Sequence, residues 1–80
     1  SRIDRVDDEL AELLDRRAAL TALVQARKEV PGHAGRDRAR ESEIVRRMAH
    51  RAPRLGEDRL RRIMHTVITE SLDAAERREP

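Results

Sequence analysis

Apolar residues recur along this chain at steps of three and four, and two points of punctuation divide them into three runs. The first run, from about Arg2 to Val30, carries Ile3, Val6, Leu10, Leu13, Leu20 and Val24 on one helical stripe. Pro31, Gly32 and Gly35 interrupt it. A second run, from about Asp37 to Arg51, has Ile44, Val45 and Met48 as its stripe. Pro53 to Gly56 separates it from a third, from about Glu57 to Arg77, with Leu60, Ile63, Met64, Val67, Ile68 and Leu72. Glu57 and Asp58 open that third run and Arg77 and Arg78 close it, the charge order a helix dipole favours. No alternating strand pattern, internal repeat or low-complexity tract is present. The pattern predicts an all-α chain of three helices forming one domain over residues 1–80.

Length and composition add a demand for a partner. A first helix of about 28 residues spans roughly 40 Å, whereas an 80-residue globule has a radius of gyration of only about 12 Å. Such a helix overhangs its own fold. Of the apolar residues 11 are Ala, 19 are Leu, Ile, Val or Met, and none is aromatic. A chain this short buries only about 60% of its unfolded surface. A second copy of the chain is the simplest way to complete the core, so a homodimer is expected.

Charge and cysteine usage exclude several classes. With no Cys there is no disulfide, thiolate metal site or cysteine nucleophile. His33, His50 and His65 have no metal-ligand spacing, so no metal and no cofactor are expected. No run approaches the ~18 apolar residues of a membrane span and no signal-peptide pattern is present, which makes a soluble cytoplasmic protein the expectation. The pI of 10.3 accompanies a net charge of only +2 and marks no basic face. The Arg-rich second and third helices outline a helix-turn-helix, but the loop is long and no aromatics stack on bases, so no nucleic-acid partner is expected. One asymmetry remains: 17 of the 18 cationic residues are Arg, and Lys28 is the lone Lys. It is either chance or a site that needs a compact ammonium rather than a planar fork.

Polar residues that interrupt the stripes are the candidate chemistry. The series 3, 6, 10, 13, 17, 20, 24 is apolar except at Arg17. Lys28 follows eleven residues later, about 20° past three full helical turns, and so points the same way in a continuous helix. Glu41 shares the face of Ile44, Val45 and Met48, with Asp37 one turn before it, and Ser71 falls on the series 60, 64, 67, 71. Each has a structural explanation. Arg17 can snorkel, Lys28 can compensate a helix dipole, Asp37 can cap a helix, and Ser71 can bond its i−4 carbonyl. Together they bring two cations to inward faces, where an unpaired charge is costly. An anionic ligand between the helices would resolve that cost.

These residues also match a known family. Ile3-Asp4-Arg5-Val6-Asp7, then Leu13-Leu14-Asp15-Arg16-Arg17, then Lys28 eleven residues later, resembles the first helix of the all-helical chorismate mutases. Asp37-Arg38-Ala39-Arg40-Glu41 fits the family's Asp-x-x-Arg-Glu element, and Ile68-Thr69-Glu70-Ser71-Leu72-Asp73 is similar to its closing helix. The resemblance covers nearly the whole chain. It implies an intertwined homodimer whose long first helices cross between subunits. It also implies the conversion of chorismate, a small dianion, to prephenate by an intramolecular (3,3) rearrangement in aromatic amino acid biosynthesis.

The same resemblance assigns roles. Arg17 grips a substrate carboxylate, Lys28 sits on the ether oxygen and a carboxylate, and Glu41 accepts from the substrate hydroxyl. Asp37 and Arg40 shape that side, while Ser71 binds a carboxylate at the other end. Two positions depart from the pattern. The family's Arg ahead of the first helix would precede Ser1, and Arg2 is out of register. The family's Gln or Glu one turn after the Ser is Ala75 here, with Glu76 beside it but rotated by about 100°. Losing one such donor typically costs about 10²–10³ in rate. That keeps open an enzyme acting on 4-amino-4-deoxychorismate or isochorismate, or a non-catalytic dimerisation or regulatory module.

Overall fold

The computed structural model describes residues 1–28 and 33–76. Three helices occur among them: α1 over Arg2–Gln25, α2 over Arg38–Arg51 and α3 over Gly56–Glu76. The fold is all-α, and no helix is long and apolar enough to cross a membrane. Side-chain caps set the first two starts. The Ser1 hydroxyl accepts the Asp4 backbone N–H at 3.3 Å, and the Asp37 carboxylate accepts that of Arg40 at 3.1 Å. Gly56 turns the chain into α3 with φ 76°, a left-handed backbone that a side chain disfavours even though open space surrounds it.

The first helix ends five residues before the expected Val30. After Gln25 the bonds tighten: Arg27 N–H donates to the Val24 carbonyl and Lys28 N–H to that of Gln25, each at 3.1 Å. Pro31 gives the reason, because its ring clashes with a helical carbonyl four residues back and disfavours helix at the preceding residue. Val30, Pro31, Gly32, Arg77 and Arg78 lie outside the described residues.

The three helices make an elongated body of 39 × 30 × 15 Å. Helix α3 packs against both α1 and α2, so it is the common wall of the structure. The core is Val45 from α2 with Leu60, Met64, Ile68 and Leu72 from α3; Ile44, Met48 and Val67 press against it. No residue of α1 is buried. Its radius of gyration, 13.9 Å, exceeds the roughly 12 Å of a compact globule this size, as an overhanging α1 requires.

Candidate functional site

Arg36, just ahead of α2, reaches Thr69 of α3, and a cleft of about 270 Å³ opens there. Arg17, Thr21, Val24 and Gln25 line it from α1, and Lys28 from just beyond it. Gly35, Arg36 and Asp37 form the loop side, and Arg40, Glu41 and Ile44 come from α2. Ile68 and Leu72 form the floor. Five residues singled out by sequence thus share one cleft: Arg17, Lys28, Asp37, Arg40 and Glu41. Arg17 and Lys28 still meet although the helix between them unwinds, because the tight turns after Gln25 keep the chain heading the same way. Among the described residues, four cationic side chains face two carboxylates here, an excess of two positive charges.

Glu41 is the most constrained of these groups. Arg36 Nε donates to Oε2 at 2.9 Å and Nη2 to Oε1 at 2.7 Å, a two-pronged pair with both side chains largely buried. The third nitrogen, Nη1, donates to the Thr69 hydroxyl of α3 at 3.0 Å. Hydrogen bonding from Arg36 holds Glu41 below its ordinary pKa; burial opposes the shift, and the charges of Arg36, His65 and Arg38 assist it. Arg36 is raised in turn, chiefly by the same bonds. Asp37 does what a capping residue does, and it also borders the cleft.

Ser71 and Ala75 stand apart from this cluster. Ser71 is buried, and its hydroxyl donates to the Val67 carbonyl at 2.7 Å. It lines a larger, apolar cleft of about 570 Å³ between α1 and α3, beside Leu14, Ala18, Ile63 and Val67. Ala75 is half-buried one turn further along α3, and Glu76 is exposed. The larger cleft has little chemistry of its own, since Arg62 and Glu70 are its only charged lining residues among those described.

Sequence reasoning missed Arg36. It is one Arg among 17, in a loop with no period, five residues from its carboxylate partner. Its place directly before Asp37 was the available signal. A second contact across the loop was equally hidden: His33 Nε2 lies 2.7 Å from Asp73 Oδ1. With Glu76 these form an exposed group whose potential ligand atoms fall within 4.8 Å of one another. The contact between His33 and Asp73 already accounts for two of the three.

A family model described as chorismate mutase type II matches residues 1–76. No curated protein and no solved structure matches the chain.

Proposed function

This chain belongs to the chorismate mutase type II family, and we propose that it converts chorismate to prephenate, working as a homodimer. The observation that carries this reading is the charge of the cleft. Among the described residues, Arg17, Lys28, Arg36 and Arg40 against Asp37 and Glu41 leave two positive charges for a substrate with two carboxylates.

The reaction breaks one C–O bond and forms one C–C bond within the same molecule, with no proton transfer and no covalent intermediate. The chain has only to hold the folded conformer and oppose the charge that grows on the ether oxygen. Arg17 grips a carboxylate through its fork. Lys28 brings a compact ammonium to the ether oxygen and the neighbouring carboxylate. Glu41, held ionised by Arg36, accepts from the ring hydroxyl. Asp37 anchors the start of α2, so Arg40 and Glu41 are presented from a fixed turn. Ser71 reaches a carboxylate only by giving up its bond to the Val67 carbonyl.

The dimer is supported by α1, whose stripe is left half or more exposed by the described residues of the chain. Ile63 on the outer face of α3 is also exposed and borders the apolar cleft. The apolar lining of that cleft suits the apolar stripe of a second copy's first helix. Ala75, which offers no donor to the ether oxygen, favours a second reading in which a chorismate relative is the substrate.

Chorismate depletion with product identification tests the reading. Prephenate formed in proportion to enzyme is expected. Release of pyruvate from isochorismate, or turnover of 4-amino-4-deoxychorismate alone, would transfer the assignment to the second reading. No turnover of any of the three would leave a dimerisation module.

A further inference from the structure

Glu41 does not face the cleft as a free carboxylate. Arg36 covers it with two donors at 2.7 and 2.9 Å, and the Thr69 hydroxyl fixes the guanidinium from the far side. The side chains are 16% and 21% exposed, so the pair is half-buried at the edge of the cleft. A carboxylate has about four lone-pair positions, of which the fork takes two. Two remain for a donor on the ligand. Acceptor capacity therefore survives while the charge is cancelled, and that difference discriminates between donors. A neutral hydroxyl needs only a lone pair. An ammonium needs net negative charge, and it would meet the guanidinium a few ångströms behind the carboxylate.

We propose that Arg36 is a specificity-determining residue: by pairing with Glu41 it makes the cleft select a ring hydroxyl over a ring ammonium, and hence chorismate over 4-amino-4-deoxychorismate. This rests on the mutase reading above, and it names which member of the substrate class the site prefers. The surroundings reinforce the choice. Lys28 and Arg17 reach the cleft from the α1 side, and Arg40 from α2, with Asp37 the other carboxylate there. On the opposite face of Glu41, Arg38 together with Arg61, Arg62 and His65 of α3 line a separate cleft of about 510 Å³. An ammonium entering beside Glu41 is thus among cations, and Arg36 is the one in contact with the recognising carboxylate. Two full charges about 5 Å apart at an effective dielectric near 20 repel by a factor on the order of 10² in binding; an open cleft reduces this to roughly tenfold.

The experiment compares kcat/KM for the two substrates in the full chain and in Arg36→Gln, Arg36→Lys and Glu41→Gln. Arg36→Gln keeps an amide donor and removes the charge. The chorismate preference should fall about tenfold or more, mainly through a lower KM for the amino compound. The acid limb of kcat/KM for chorismate should also move to higher pH, because Glu41 loses the bond that depresses it. Arg36→Lys restores the charge without the fork, and the preference should return to within about threefold of the parent. Glu41→Gln leaves Arg36 unopposed and should shift the preference further towards chorismate. Arg36→Met also removes the charge and should show the same fall as Arg36→Gln, which decides the matter if Arg36→Gln does not fold. An unchanged ratio in the folded uncharged variant, with the parent active on chorismate, reduces Arg36 to a loop tether and overturns the proposal alone. A parent that prefers the amino compound overturns it as well. A parent inactive on both overturns the mutase reading itself.

Discussion

The α2–α3 pair closes its apolar faces on each other, whereas α1 leaves its stripe in solvent. Leu60 and Leu72 of α3 are 4% and 5% exposed; Leu10 and Leu13 of α1, with the same side chain and the same helical spacing, are 51% and 54% exposed. Amphipathic periodicity is therefore not enough to tell how a helix is stabilised. The shorter pair is joined by a tight turn at Gly56, which brings two stripes face to face within one chain. Helix α1 is held by α3 along one side only, and its overhang contributes cations to the cleft and apolar surface to whatever covers it. The buried core lies in one region and the exposed apolar surface in the other, while the cleft draws its lining from both.

The largest effect should come from a residue at the end of α1 that buries nothing. Lys28 is exposed and lies past the last helical turn, so its removal leaves the core untouched. Lys28→Ala should lower kcat by about 10²–10³ or more with helicity unchanged by circular dichroism. Lys28→Arg should fail nearly as badly, since a planar fork does not replace a compact ammonium. Near-parental rates in both variants would return α1 to a purely structural part.

The next contrast sets the two stripes against each other. Leu72→Ala removes a buried side chain and should cost about 2–5 kcal/mol in chemical denaturation at any protein concentration. Leu10→Ala should cost almost nothing in an isolated chain. In the proposed dimer, its cost instead appears as weaker association, and the parent's thermal midpoint rises with protein concentration. A monomeric mass by ultracentrifugation together with a concentration-independent midpoint would break the comparison, because α1 would then be stable while uncovered.

The smallest effect concerns the pair that ties the two regions. The folded pKa of Glu41 lies below its unfolded value, which is about 4.3 in free peptides. Its contribution is therefore complete above that range and is lost as pH falls through the lowered folded value. Arg36→Gln should flatten this acid limb of stability, leaving the plateau at neutral pH lower but less pH-dependent. Identical acid unfolding of Arg36→Gln and parent would show that the pair adds nothing to folding.

Periodicity was enough to read three helices, the breaks between them and the polar positions on their inward faces, because a helix writes its face into spacing along the chain. Arg17, Asp37 and Glu41 were legible for that reason and Lys28 through its offset from Arg17, whereas Arg40 came only from the resemblance of Asp37-Arg38-Ala39-Arg40-Glu41 to the family's element. Where α1 stops was less so: the stripe has no further position to lose after Val24, and the local effect of Pro31 competes with a continuing pattern. The partners of Arg36 and His33 were invisible. Thr69 lies 33 residues from Arg36 and Asp73 lies 40 from His33, distances with no sequence signature. Loop residues have no period, so their contacts exist only once α3 has packed between α1 and α2. The Ser71 bond to the Val67 carbonyl is the local i−4 contact that its spacing allows, whereas only the packing of α1 on α3 set Ser71 beside the apolar cleft rather than the cationic one. Local spacing determined which faces point inward; only the tertiary structure decided which inward faces meet, because that depends on the angles at which whole helices cross.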